Sequence, residues 1–185
     1  MFEALLAKLG RGLDGRGIPY MLIGGQAVLL YGEPRLTRDI DVTIGAGPER
    51  LSELLEFVRE AGWRVLPDRP DEFVARNLVL PSVDPASGIR IDLIFSLSPY
   101  ERQAVARARV VEVNGVPVRY ATVEDLIVHK LFAGRPRDME DARTILLKNP
   151  ALDKSYVRRW LGEFGPDASP GMLEAFEAIC AAPKS

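Results

Sequence analysis

The sequence predicts an α/β (α+β) protein: a mixed β-sheet flanked by helices, followed by a helical C-terminal part. Three observations carry this. Short apolar runs at Ile18–Ile23, Arg38–Ile44 and Ile89–Phe95 are interleaved with segments whose apolar residues recur at helical spacing. Asn114-Gly115, set between V-V-E-V and V-P-V-R-Y, is a strong two-residue hairpin signal. From Thr122 onward the pattern is helical throughout. The expected organisation is therefore an α/β core over 1–121 and a helical part over 122–185.

Taken in order, Phe2, Leu5, Leu6, Leu9 and Leu13 share one helical face, so a first helix spans Phe2–Leu13. Ile18–Ile23 is the first strand and Gly24–Tyr31 the second helix. Gly32-Glu33-Pro34 turns the chain into a strand over Arg38–Ile44. A helix over Glu49–Ala61 presents Leu51, Leu54, Leu55 and Val58, and Gly62 stops it. Trp63–Leu66 reads as a short strand, Pro67–Asp71 as a polar loop and Phe73–Leu80 as a strand. Pro81–Gly88 is turn-rich and leads into the strand Ile89–Phe95. Ser98-Pro99 opens a helix through Ala108. Thr122 with Asp125 resembles a capping box, and further helices follow over Pro136–Leu147, Lys154–Phe164 and Gly171–Ala181.

The composition is that of a globular protein with a real core: 47% hydrophobic and 27% charged residues. A net charge of −2 argues against a generally basic nucleic-acid coat. The single Cys180 excludes an internal disulfide and suits a reducing cytosol. Met1–Gly10 reads as an amphipathic helix rather than a secretory signal, and no apolar run approaches membrane-spanning length. The expected setting is cytoplasmic, with no membrane contact.

The chemistry concentrates between Leu22 and Ile44. Side chains two apart on a strand share a face, so Asp39, Asp41 and Thr43 point one way and Ile40, Val42 and Ile44 the other. Two neighbouring carboxylates repel unless something positive lies between them. Mg²⁺ is held by one or two carboxylates together with substrate phosphate oxygens. Alone, D-x-D equally describes a solvated strand edge. Gly24 and Gly25 change the weighing: glycines between a strand and a helix let backbone N–H groups approach a phosphate. Asp92, in the middle of I-R-I-D-L-I-F, is expensive to bury unpaired. If its strand lies beside the Asp39–Asp41 strand, three carboxylates converge, enough for two Mg²⁺ ions roughly 3.5–4 Å apart.

Gly24-Gly25, Asp39-Ile40-Asp41 and the later Asp92 together resemble the signature of the DNA polymerase β-type nucleotidyltransferase superfamily. The phrases G-G-Q-A-V and R-L-T-R-D-I-D-V, with E-D-L-I-V-H-K-L-F-A-G-R-P-R-D-M-E-D-A, are similar to its AbiEii-type branch, which includes toxins of bacterial toxin–antitoxin systems. The resemblance spans roughly residues 20 to 146. It implies a nucleotidyltransferase fold and metal-dependent transfer of a nucleoside monophosphate from an NTP to an acceptor. In that scheme Asp39, Asp41 and Asp92 are the catalytic and metal-holding residues. Gly24, Gly25, Arg38, Lys130, Asp138 and Asp141 bind the NTP. The acceptor is tRNA, with an antitoxin protein as partner, or a small hydroxylated molecule such as an antibiotic. A nucleotide-binding module without turnover is the alternative from another class.

Other residues divide between chemistry and packing. Gln26 contacts a phosphate or simply starts its helix, and Arg35 and Arg38 flank the acid strand. Lys130 falls on the apolar stripe of Val123, Leu126, Ile127 and Leu131, where a lysine needs an anionic partner. Asp138 or Asp141 is expected to pair with it in the absence of ligand. The pattern alone suggests that Lys130→Met would leave folding nearly unaffected, because the stripe becomes continuous. The clusters Arg102, Arg107, Arg109 and Lys154, Arg158, Arg159 are solvated helix faces or the places where an RNA acceptor would be held.

Overall fold

The computed structural model describes residues 1–34, 36–168 and 171–181. Its centre is a seven-stranded mixed sheet in the order β3-β4-β5-β2-β1-β7-β6. The strands are β1 (Tyr20–Ile23), β2 (Asp39–Ile44), β3 (Arg64–Val65), β4 (Val79–Val83), β5 (Arg90–Phe95), β6 (Arg109–Val113) and β7 (Val116–Tyr120). β2 runs parallel to β5 and antiparallel to β1, while β1 and β7 are parallel. The helices are α1 (Phe2–Asp14), α2 (Gly24–Tyr31), α3 (Leu51–Glu60), α4 (Pro70–Asn77), α5 (Pro99–Ala106), α6 (Val123–Ala133), α7 (Pro136–Lys148), α8 (Lys154–Ala168) and α9 (Met172–Ala181). Among the described residues no helix is long and apolar enough to cross a membrane.

The chain divides into two compact units. The first comprises Met1–Gln26 and Thr37–Ala121, and the second Ala27–Leu36 and Thr122–Ser185. The first holds the whole sheet. Its core is built from the alternating inward residues of the central strands, with Ile40, Val42, Ile91 and Leu93 fully buried. α1 lies close on the sheet: a Cβ at Gly10 would come within 2.9 Å of the Pro117 carbonyl oxygen. Gly12 likewise makes room for the Phe57 ring, which meets Trp63 edge-on at 5.4 Å between centroids. The β6–β7 turn places Asn114 and Gly115 at φ 49° and 71°, the left-handed pair that a two-residue hairpin demands.

One expected strand is a helix. Phe73–Leu80 reads as apolar and β-prone, yet Pro70–Asn77 forms α4, with Pro in the first turn and Asp71 and Glu72 at the positive end of its dipole. Leu78 stops it in the left-handed conformation at φ 55°. β4 (Val79–Val83) keeps the last two residues of that expected strand, Val79 and Leu80, and extends it into Pro81–Val83, which was expected to be turn-rich.

The second unit is helical. α6 starts at Thr122, whose hydroxyl accepts the Asp125 N–H at 3.2 Å. The Asp125 carboxylate is fully buried and receives the Tyr156 and Thr122 hydroxyls, each at 2.7 Å. Within this unit the end of α7 secures the turn after α2: Lys148 Nζ donates to the Gly32 carbonyl at 3.1 Å, and Asn149 Nδ2 to that of Tyr31 at 2.8 Å.

Candidate active site

β2 and β5 are the two innermost neighbours that carry acids. Their parallel register sets Asp41 directly opposite Asp92 and Asp39 directly opposite Arg90. Both strands begin with the same exposure rhythm: the odd residue on β2 and the even residue on β5 face outward, and the alternate residues are buried. Asp39, Asp41 and Asp92 therefore present a row of carboxylates at the start of these strands, on a floor of buried aliphatics.

β1 delivers the glycines to the same place. Ile23 pairs with Asp41, so Gly24 follows immediately beside the Asp41 side chain. Gly24 has φ 62°, and a Cβ built on it would collide with Asp41 Oδ2 and lie within 2.9 Å of its Cγ. Only glycine satisfies both the left-handed backbone and the space taken by the carboxylate. The first N–H groups of α2 have no partner within the helix. Gln26 is buried there, and its Nε2 donor has no hydrogen-bond partner among the described residues.

Each flanking acid has a local anchor. Thr37, itself buried, donates its hydroxyl to Asp39 Oδ1 at 2.8 Å. Arg90 Nε donates to Asp92 Oδ1 at 2.7 Å. The guanidinium is held above its usual pKa, first by that hydrogen bond and further by the charges of Asp92, Asp41 and Asp39. Arg90 and Thr37 did not emerge as site residues from the sequence. The usable signal was spacing: each stands two residues before an acid, and Arg90 shares its strand face with Asp92.

Among the described residues no three His, Cys, Asp or Glu side chains are gathered closely enough to hold a metal ion by themselves. The donor chemistry nevertheless suits Mg²⁺, which takes one or two carboxylates and completes its shell with water and phosphate oxygens. Asp41 and Asp92 at matched register, with the Asp41 carboxylate lying against the Gly24 turn, fit that requirement.

Arg38 is exposed on the segment leading into β2, and Arg35 lies outside the described residues. Lys130, Asp138 and Asp141 belong to the second unit, where all three are buried. Lys130 Nζ lies 2.8 Å from Asp138 Oδ1 and 2.8 Å from Asp141 Oδ2. Of the basic clusters, Arg158 pairs with Glu177 at 2.6 Å, Arg159 with Glu163 at 3.5 Å, and Arg102 donates to the Leu97 carbonyl at 3.0 Å.

A mixed sheet that sets paired strand aspartates beside a glycine turn is the framework of a nucleotidyltransferase. Residues 6–161 match the family described as "Nucleotidyltransferase of unknown function (DUF6036)", and the chain belongs to that family. Solved structures share the fold. The crystal structure of ANT(2'')-Ia in complex with adenylyl-2''-tobramycin is 20% identical, with a TM-score of 0.58 over 97% of this chain and 98% of that one. An antigenic nucleotidyltransferase-like protein from Paracoccidioides brasiliensis is 17% identical, with a TM-score of 0.56 over 94% of this chain and 92% of that one. Among curated proteins no sequence matches.

Proposed function

We propose that the protein transfers a nucleoside monophosphate from an NTP to a hydroxyl group of an acceptor and releases pyrophosphate. The observation that carries this reading is the Asp41–Asp92 register pair beside Gly24. Asp39, Asp41 and Asp92 would hold the divalent ions, two in this reading. Bound there, Mg²⁺ would neutralise triphosphate charge and make the acceptor hydroxyl more acidic. The N–H groups of Gly24 and Gly25 bind phosphate oxygens at the positive end of α2. Asp92 takes the acceptor's proton as general base. Arg38 and the buried Gln26 amide supply further donors to the nucleotide. Lys130 with Asp138 and Asp141 enters this reading on its sequence motif. The 1–121 core carries the chemistry, in a cytosol that supplies NTP.

We take the acceptor to be a small hydroxylated molecule. The net charge of −2, with Arg158 and Arg159 already paired to Glu177 and Glu163, weighs against an RNA backbone as the partner. ANT(2'')-Ia, an antibiotic-resistance factor of the same fold, supports the choice. The second reading is a tRNA-modifying toxin with an antitoxin partner, favoured by the AbiEii-like phrases around Gly24 and Asp41. Purified protein, each labelled NTP in turn and fractionated cell extract decide between them. Label is expected in the small-molecule fraction. Label confined to RNA would establish the second reading, and Mg²⁺-independent label would overturn the mechanism.

Gly24→Ala is expected to lower kcat/KM at least ~10-fold, because displacing a positioned group by a fraction of an ångström is enough for a loss of that order. The left-handed backbone adds about 1–2 kcal/mol of destabilisation. Steady-state kinetics and thermal unfolding check the two parts separately. Wild-type turnover would show that the Asp41 carboxylate need not stay where Gly24 admits it.

A further inference from the structure

We propose that Arg90 is a built-in counter-cation, holding the place of the divalent ion in the nucleotide-free protein and giving way when the ion arrives. The inference rests on the metal-dependent reading above and adds a cation outside the carboxylate set that regulates its occupancy.

Four charged residues form a block at the start of β2 and β5. Asp39 faces Arg90 across the strand pair, and Asp41 faces Asp92. Laterally opposed residues of a parallel pair share a sheet face, so three negative charges surround one positive charge there. Arg90 is bonded to Asp92, the acid assigned to the acceptor side, at 2.7 Å. That carboxylate is only 17% exposed, whereas the Arg90 side chain is 52% exposed. The asymmetry matters. Asp92 is fixed in the sheet, but the guanidinium sits at the end of a long stem with solvent beyond it. An ion pair so exposed on one side contributes little stability, so turning Arg90 away is cheap. A guanidinium does not deprotonate near neutral pH, so its charge leaves the block only by movement or by substitution. It also has the wrong shape to complete a phosphate-bridged Mg²⁺ site. A bare divalent ion carries twice the charge of Arg90 and, unlike a guanidinium, can accept carboxylate oxygens as ligands, so it replaces Arg90 among the acids.

The opposite possibility is that Arg90 orients Asp92 for the ion and stays. The two differ in sign. If Arg90 is a placeholder, its removal tightens ion binding in the absence of nucleotide; if it orients Asp92, its removal weakens binding.

The test is Mn²⁺ binding to the full chain without nucleotide, read from the electron paramagnetic resonance signal of free Mn²⁺. Arg90→Gln is expected to lower the Kd at least ~5-fold, the order Coulomb's law gives for one unit charge close to a divalent ion in a water-like dielectric. Arg90→Lys, which keeps the charge, is expected to stay near wild type. Arg90→Met is the second neutral variant should the glutamine variant fold poorly. Thermal unfolding gives an independent readout: the gap in Tm between Mn²⁺ and EDTA is expected to widen in the neutral variants. Unchanged or weaker Mn²⁺ binding in them would overturn the proposal. If wild type binds Mn²⁺ and Asp92→Asn abolishes it while the Arg90 variants change nothing, this inference alone falls. If wild type binds no Mn²⁺ even with ATP present, the metal-dependent reading falls and takes this one with it.

Discussion

Asp41→Asn is expected to reduce nucleotidyl transfer at least ~10³-fold while leaving Tm unchanged or slightly higher. The activity loss follows from position. Asp41 faces Asp92 in register and lies directly beside Gly24, so in the proposed reaction it would be the acid common to the acceptor side and the phosphate side. Lewis-acid stabilisation contributes several kcal/mol to such a transfer, and each 1.36 kcal/mol is about tenfold in rate. The amide keeps the shape of the carboxylate and removes one of three like charges in a row, which relieves repulsion in the ion-free protein. Single-turnover transfer and a thermal melt in EDTA measure the two halves. Turnover within tenfold of wild type in Mg²⁺ would remove Asp41 from the ion site. A large fall in Tm would mean that Asp41 is chiefly structural.

Lys130→Met is expected to destabilise the protein by roughly 3–5 kcal/mol, the range for stripping one partner from a buried ion pair. That corresponds to a fall in Tm on the order of 10 °C for a chain of this size. Here the structure reverses the sequence expectation of nearly unaffected folding. Lys130 sits between two carboxylates of α7, at 2.8 Å from each, and all three side chains are about nine-tenths buried. Methionine would continue the apolar stripe of α6 but would leave Asp138 and Asp141 without their shared cation. The triple variant Lys130→Met, Asp138→Asn, Asp141→Asn removes the uncompensated charge and is expected to recover most of the loss. Urea unfolding of the single and triple variants measures both. A single variant as stable as wild type would mean that the ion pairs contribute nothing to the helical unit.

These two sites also show what the sequence made legible. The acid strand could be read because period-two alternation separates Asp39 and Asp41 from Ile40 and Val42, and the β2–β5 register then follows the pairing it suggested. The hairpin at Asn114-Gly115 could be read because few residues tolerate two successive left-handed positions. α4 was hidden because its end signal is absent. Helices usually stop at a glycine, whereas this one stops at Leu78, so Phe73–Leu80 looked like one continuous strand. Its start signal, Pro70 with Asp71 and Glu72, lay inside what read as a polar loop. Arg90 was hidden for another reason. An arginine near a strand end is normally a solvated edge residue; its place two before Asp92 on the same strand face was the one hint, and the register that sets it opposite Asp39 completes the picture. Lys130 was visible as a lysine on an apolar stripe, but pattern could not show that both downstream acids would hold it at once.

The Gly24–Asp41 contact makes the two positions epistatic. As long as residue 41 carries a carboxylate, a side chain at residue 24 meets it before it meets anything else. Shortening residue 41 to alanine removes Oδ2 and Cγ from that space, whereas asparagine leaves it filled; the left-handed backbone penalty remains in either case. A variant library selected for folding alone would therefore admit small residues at 24 mainly in backgrounds already altered at 41. One selected for activity would keep both fixed. In a lineage that drifts away from turnover, a shortened residue 41 widens what position 24 tolerates.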